Sequence, residues 1–374
     1  MRFAEYTDEW HKYALSDFVT RITRRNKNNE SSLPLTISAQ YGLVDQITFF
    51  NKTVASVDLS GYYLLYNGDF AYNKSYSNDY AWGAVKRLNK YEKGCLSSLY
   101  FVFRPTDKVD SDYLTHYFET SKWHKGISDI AGEGARNHGL LNMAVDDYFA
   151  TKHYLPSLSE QKKIACFLNL IMKRIEIQNK IISKYETLIK GLRERVVNGG
   201  WQWKRLDELI QEGVVRLNRG NIIPKHPKDN TYKYPVYSSS TQNNGLMGYN
   251  DTYMFDKELI TWSIDGGGNF FYRKKHKFNV TNVCGIMQVD ENVYSYRFIA
   301  EMLTYQHSKM KFDYQSKAHP SVISSLYSLP CLSISEQNFY CQLFIALDKK
   351  MYIEQYGLNK LKEQKKYLLS KMFI

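Results

Sequence analysis

The chain has 374 residues, 43% of them hydrophobic and 24% charged, with a net charge of +12. That length allows two or three domains with a sizeable core, and no apolar run approaches the ~18 residues of a membrane span. Five cysteines with no C-x-x-C spacing argue against a disulfide framework or a zinc ribbon. Reduced thiols in a soluble, cytoplasmic protein are therefore the expectation.

The charge is unevenly spread. Lys and Arg balance Asp and Glu, 18 against 18, over residues 1–155; the ratio is 9 to 4 over 156–200, 16 to 12 over 201–330 and 7 to 4 over 331–374. A net cation suggests a polyanionic partner. The balance within the first segment means that bulk charge alone does not make that segment a nucleic-acid binder.

In chain order, residues 1–20 carry TDEWHKYALSDFV, with Trp10, Leu15, Asp17 and Phe18. RITRRNKNN follows, a basic stretch interleaved with Asn that supplies Arg21, Arg24, Arg25 and Lys27. Such cations neutralise phosphates, and Arg or Asn can grip guanine or adenine edges bidentately. A solvated loop is the competing reading. ISAQYGLV (37–44) is a polar turn containing Gln40, and YNKSYSNDY (72–80) sets Lys74 and Tyr76 among Tyr and Asn side chains. GCLSSLYFVF (94–103) reads as strand and SDYLTHYFETSKW (111–123) as helix. GEGARNHG (132–139) is a loop that offers Arg136, Asn137 and His138.

LPSLSEQ (155–161) then opens a long helix running to Val197, with Ser159-Glu160-Gln161 expected to cap it and Asn198-Gly199-Gly200 to stop it. Ile164, Leu168, Ile171, Ile175, Gln178, Ile182, Tyr185, Ile189, Leu192 and Val196 step by four and three without a fault. That is the seam of a coiled coil, and the helix should reach roughly 55 Å.

The pattern then repeats. WQWKRLDELI returns the opener, with Trp201, Leu206, Glu208 and Leu209 at the spacing of Trp10, Leu15, Asp17 and Phe18. Arg216 and Arg219 follow. SSSTQNNGLM (238–247), a looser echo of ISAQYGLV, carries Ser239, Thr241, Gln242 and Asn243. FDKELITWS (255–263) parallels NGDFAYNKS (67–75), each leading into an apolar strand. DGGGN (265–269) contributes Asn269, and Arg273-Lys274-Lys275-His276-Lys277 is the most basic run, open to a hairpin-surface reading as well. FNVTNVCGIMQV (278–289) and SYRFIAEMLTYQH (295–307) parallel the strand and helix of the first segment. Lys317 and His319 lie in a late loop matching that of His138. LPCLSISEQ (329–337) reopens a heptad helix whose seam holds Tyr340, Phe344, Leu347, Met351, Glu354, Leu358, Leu361, Lys365, Leu368 and Met372. Gln178 and Glu354 are the matching polar positions.

No motif supplies catalysis. There is no Pro-Pro for an adenine methyltransferase and no Gly-Lys for a P-loop. Gly132-Glu133-Gly134 and Gly266-Gly267-Gly268 lack the strand–GxGxxG–helix setting and read as turns. The ExK-like Glu160-Gln161-Lys162 falls on the first turn of the seam helix, where capping accounts for it. The nine histidines show no metal-ligand spacing.

At this point the chain resembles the specificity subunits of type I restriction–modification systems. The carrying residues are LPSLSEQKKIACFL and LPCLSISEQNFYCQLF, each leading into a heptad helix, with the Trp10/Leu15 and Trp201/Leu206 openers in support. The resemblance implies an α/β (α+β) tandem with a pseudo-twofold. Target-recognition domains at 1–154 and 200–328 would be separated by long helices at 155–199 and 329–374, packed as an antiparallel coiled coil. Each domain would read one half of a bipartite double-stranded DNA site, and the helices would set the gap. Two modification subunits carrying S-adenosylmethionine would dock on the assembly, and restriction subunits would join them; this chain would bind no cofactor and catalyse nothing. The second helix departs from the first: Lys162-Lys163-Ile164 becomes Asn338-Phe339-Tyr340, and Lys365 enters the seam. Two alternatives are a coiled-coil scaffold that binds protein, and a fragment of a fused restriction–methyltransferase enzyme.

Overall fold

The repeats in the sequence return as repeated topology. A computed structural model describes residues 1–77, 80–131, 139–223, 233–240, 242–265, 267–310 and 317–374. Two compact units divide the chain, residues 1–178 with 357–374 and residues 179–356.

The first unit runs β1 (His11–Ala14), β2 (Val19–Arg21), β3 (Leu35–Ser38), β4 (Gly42–Asp45), α1 (Gln46–Phe50), β5 (Tyr63–Tyr66) and β6 (Phe70–Asn73). It continues through β7 (Ala84–Arg87), β8 (Lys93–Leu96), β9 (Phe101–Pro105), α2 (Ser111–Tyr117), α3 (His124–Ile130), α4 (Val145–Ala150) and β10 (Lys152–Leu155) into α5 (Leu158–Val197). A sheet ordered β2-β9-β6-β7 is flanked by the pairs β3-β4 and β5-β8, and β1 pairs with β10. Leu35, Leu65, Leu96 and Val102 fill the core between them. Short, largely apolar runs produce this: Leu35–Ile37, Tyr63–Leu65, Phe70–Tyr72 and Phe101–Phe103 are each buried without a break, so these strands are covered on both faces.

The second unit takes over within α5 and adds β11 (Trp203–Arg205), α6 (Leu206–Gln211), β12 (Val215–Arg219), β13 (Tyr234–Tyr237), β14 (Leu246–Asn250) and β15 (Phe255–Ser263). β16 (Phe270–Val280), β17 (Cys284–Val289), α7 (Tyr296–Lys309), α8 (Pro320–Leu326), β18 (Ser328–Pro330) and α9 (Ile334–Met372) complete the order. Its main sheet is β12-β17-β15-β16-β13-β14, and β11 pairs with β18. The first four strands match β2-β9-β6-β7 one for one. The openers match as well: Ala14 N–H donates to the Asp17 carboxylate and Leu15 N–H to the Thr151 carbonyl, while Arg205 N–H donates to Glu208 and Leu206 N–H to Tyr327. Trp262, Phe278 and Phe298 centre the second core, which Val196 of α5 and Phe344 of α9 join.

Each seam position expected in α5 and α9 is buried or half-buried, so the heptad reading holds along both helices. Within the first unit the helices run antiparallel. Met1 donates its terminal nitrogen to the Lys371 carbonyl while Arg2 grips Glu160, so the start of α5 and the end of α9 share one side. At the other side, Gln178 Nε2 stands 3.9 Å from where a Cβ on Gly357 would lie.

The expected cap is corrected. Ser157, not Ser159, offers its hydroxyl to Glu160 N–H, and Glu160 is fully buried against Arg2 rather than turned back to cap. The reason is that the first turn of α5 is sunk into the unit. Its repeat at Ser333 makes the reciprocal box with an exposed Glu336. Lys365, the odd seam residue, has its ammonium 2.6 Å from the Glu119 carboxylate. Among the described residues, no helix is long and apolar enough to cross a membrane.

Candidate nucleic-acid interface

Separate stretches of the second unit meet at the C-terminal end of β15. Ser263 Oγ donates to the Ser239 carbonyl at 2.6 Å, and Ser263 N–H donates to the Asn269 carbonyl at 3.1 Å. Ala318 N–H donates to the Ile264 carbonyl, and Lys317 reaches Asp265 at 3.4 Å. Arg219 at the end of β12 donates to the Asn282 carbonyl, one residue after Thr281, whose hydroxyl donates to Ser238 Oγ. The structure thus gathers Arg219, Ser239, Asn269, Lys317 and His319, with His319 half-buried as the cap residue of α8. They come together because β16 and β17 both begin against this end of β15, with Trp262 opposite Phe270 and Ser263 opposite Cys284, and β12 ends there with Arg219 opposite Gly285.

The β13–β14 connection stands over this end. Ser238 N–H closes it onto the Gly245 carbonyl at 2.8 Å. Asn243, Asn244 and Gly245 all take positive φ, at 46°, 54° and 77°. Asn and Gly are the residues that accept this left-handed conformation most readily. The side chains of Gln242, Asn243 and Asn244 are left exposed. A carboxamide carries a donor and an acceptor side by side, the pattern that pairs with the adenine edge in a major groove. Thr241 lies outside the described residues.

Beneath the turn is Arg273, 2% exposed, which donates to Thr261 Oγ1 and to the Asn244 carbonyl, each at 2.9 Å, and lies 3.7 Å from the Tyr237 ring centre. Burial pulls its pKa down to about 10. Lys274 and Lys275 follow it at an irregularity in the β15–β16 register and are exposed.

The first unit repeats part of this geometry. Leu141 N–H donates to the Lys74 carbonyl as Ala318 N–H does to Ile264, and Tyr76 N–H donates to Gly139. Lys74 and Tyr76 therefore occupy the end of β6 that corresponds to the loop end of β15. Lys74 Nζ lies 4.8 Å from the Phe101 ring centre, and burial lowers its pKa. Arg136, Asn137 and His138, just before Gly139, lie outside the described residues. Gln40 is exposed on the β3–β4 turn.

The basic stretch after β2 is only partly free to meet a ligand. Arg24 pairs with Asp69 at 2.9 Å and Arg104 with the same carboxylate at 2.6 Å, while Tyr66 N–H also donates to it. Asp69 is wholly buried, so both guanidiniums hold a desolvated charge in place. Asp69 precedes β6 and Lys74 follows it, roughly 13–17 Å apart along the strand, so Arg24 and Lys74 do not share a site. Arg25 donates to the Gly61 carbonyl and stacks on Tyr63. Arg21 and Lys27 are exposed, with Arg21 3.9 Å from Asp146. Asp69 and Arg104 gave no sequence signal, since neither stands in a motif. Gln178 and Glu354 are half-buried in α5 and α9.

Within the second unit, α5 and α9 also border an open groove of about 600 Å³, lined by Leu188, Gly191, Leu192, Leu343 and Leu347 among others.

Comparison with known proteins gives these features a setting. The family model of the type I restriction modification DNA specificity domain matches residues 198–326. A type I specificity subunit of Mycoplasma pneumoniae is 36% identical over 132 residues, covering 33% of this chain and 42% of that protein. The EcoKI specificity subunit of Escherichia coli K12 is 21% identical over 203 residues, covering 50% and 43%. The chain thus spans less than half of the length of each of these relatives. In structure, the S subunit of a type I restriction–modification system from M. genitalium aligns over 100% of this chain and 99% of its own, with a TM-score of 0.61 at 16% identity. A chain from a study of type I R-M complex assembly and conformational transition aligns over 98% of both, with a TM-score of 0.55 at 15% identity.

Proposed function

We propose, for a chain that carries a type I restriction modification DNA specificity domain and has the fold of type I S subunits, that it reads a bipartite DNA sequence and performs no chemistry itself. The observation that carries this reading is the gathering of Arg219, Ser239, Asn269, Lys317 and His319 at the end of β15, beneath an exposed Gln242–Asn244 turn. Cations there would neutralise phosphates while carboxamides meet base edges, the division of labour that sequence-specific DNA binding requires.

In this reading residues 1–154 and 200–328 are target-recognition domains, each for one half-site, and the helices at 155–199 and 329–374 set the gap between them. The first domain uses Arg21, Arg25, Lys27, Gln40, Lys74, Tyr76 and the Arg136–His138 stretch; Lys274 and Lys275 add phosphate contacts in the second. The groove beside Gly191 supports docking of modification subunits, which would hold S-adenosylmethionine and transfer its methyl group; restriction subunits would complete the assembly. The work would take place in the cytoplasm, where the DNA is.

Methylation motifs mapped across the genome, with and without this chain, test the proposal: a bipartite adenine motif should appear only with it. Exchanging residues 20–150 for those of a relative should then change one half-site alone. A change in both half-sites, or in neither, would overturn the assignment of one domain to one half-site.

A further inference from the structure

We infer that Arg273 is a positioning residue for base reading in the second unit: it holds the left-handed run Asn243–Gly245 in the shape that leaves Gln242 and Asn243 exposed, and so sets the specificity of one half-site without touching DNA. The inference rests on the DNA-reading function proposed for that unit.

Arg273 is a poor choice for packing alone. It is 2% exposed, and among the described residues its guanidinium meets a hydroxyl, a carbonyl and two aromatic rings rather than a carboxylate. A guanidinium taken from water without a counter-charge costs stability, and an apolar side chain of similar length would fill the space without that cost. Its bonds go elsewhere. Nε donates to Thr261 Oγ1 of the central strand, and Nη1 donates to the Asn244 carbonyl of the turn. The planar group thereby bridges a rigid strand and a backbone carbonyl of the left-handed run. Tyr237 under the guanidinium and Phe271 at 4.9 Å restrict its tilt.

Two details separate this residue from the cations beside it. Lys274 and Lys275 are exposed and able to meet phosphates, whereas Arg273 Nη2 is buried, with no hydrogen-bond acceptor for it among the described residues. A DNA atom cannot reach it with the turn in place. The turn is also built around it: a Cβ on Gly245 would stand 3.2 Å from Nη2 and 3.1 Å from the Ser238 carbonyl, at a φ of +77°. The chain passes close to the guanidinium because that position has no side chain. What the arginine does in this setting is fix the turn, and through it the direction of two exposed carboxamides.

The test uses the full chain in complex with its modification subunits, reading both the methylated motif and the melting temperature. Arg273→Lys keeps the charge but cannot bridge Thr261 and Asn244 at once. Arg273→Met removes the charge and keeps the bulk. Each should relax discrimination at one or more positions of the second half-site by at least tenfold, leaving the first half-site and the salt dependence of binding as in the wild type. The Met variant should do so with a melting temperature close to wild type, a combination that a merely structural residue would not give. An unchanged motif in a folded Arg273→Met chain overturns the inference, as does weakening of both half-sites in step with lost stability. If that variant does not fold, Thr261→Val, which removes only the partner of Nε, should relax the same positions to a smaller degree. An unchanged motif in both Thr261→Val and Arg273→Lys overturns the inference equally. A wild-type chain that confers no motif sinks the DNA-reading proposal and this inference together, whereas a motif indifferent to Arg273 sinks the inference alone.

Discussion

The side-chain oxygen of Gln161 accepts a hydrogen bond at 2.9 Å from the backbone N–H of Asp110, the residue whose own carboxylate caps α2. The repeat reproduces it. Gln337 accepts at 2.9 Å from the backbone N–H of Ser295, immediately before α7. In both copies the amide nitrogen turns back to a carbonyl at the start of its own helix, Pro156 in one and Leu332 in the other. Each glutamine is buried, so every polar atom it holds is withdrawn from water and must stay paired. This is how each long helix is locked to its globular segment.

Removing either clamp should therefore cost stability. Gln161→Leu orphans the N–H of Asp110, and Gln337→Leu orphans that of Ser295 and the Val293 carbonyl. Leaving a buried group unsatisfied costs ~1–3 kcal/mol. Denaturant unfolding of the two variants measures this directly, and midpoints equal to wild type would show that the clamp contributes nothing.

Much of the tandem was legible because repetition does not depend on context. The Trp10/Leu15 and Trp201/Leu206 openers, the parallel strand runs and both seams could be read as spacing alone, and they reappear as matched β-pairs and buried helix positions. The functions of Glu160 and Gln161 could not be read that way. A first-turn Glu-Gln looks like a cap wherever it occurs, and only the depth of the helix end sends one to Arg2 and the other to Asp110. Arg24 shows the same limit at the interface, since its charge suggested a phosphate and the fold ties it to buried Asp69. The gathering of Ser239, Asn269 and Lys317 is a product of strand order, which residue types alone do not encode.

Acid should destabilise the first unit through its buried histidines. His153 lies between the Tyr117 and Thr151 hydroxyls, and burial depresses its pKa from 6.5 to about 4. Burial also lowers the pKa of His116. The unfolded chain therefore takes up these protons first. The stability contributed by the neutral imidazoles is complete above pH 6.5 and is lost as pH falls toward about 4, by roughly 3 kcal/mol for His153. Melting temperatures followed from pH 7 downward should fall less steeply in His153→Gln than in wild type. Parallel curves would place the acid sensitivity on other groups.

Gly191 offers a way to separate folding from docking. It sits inside α5, and a Cβ built there meets nothing within 4 Å. Gly191→Ala should thus raise stability by ~0.5–1 kcal/mol, because glycine is the weaker helix former. Gly191→Trp would fill the groove lined by Leu188 and Leu347 while leaving the loops at the end of β15 untouched. We expect it to reduce copurification of the modification subunit while DNA binding by the chain persists. Full complex formation by this variant would move the docking site away from the groove.

The last expectation concerns the two polar seam positions. Gln178 and Glu354 interrupt otherwise largely apolar rows at matching points of the repeat, as Lys365, paired with Glu119, does further along α9. A polar residue in a seam lowers stability but penalises slipped registers, because a shifted helix would bury it against apolar side chains. We propose that Gln178 and Glu354 set the register of the helices, and that the register sets the gap between half-sites. Replacing both with Leu should raise the melting temperature and let the methylated motif tolerate more than one gap length. Inserting four residues into each helix adds ~6 Å of length, close to two base-pair steps at ~3.4 Å per step, and should widen the gap. Genome-wide methylation in cells carrying the insertion variant reads the gap directly, with circular dichroism confirming that the variant is folded. A folded insertion variant with the original gap would show that the helices do not measure the distance.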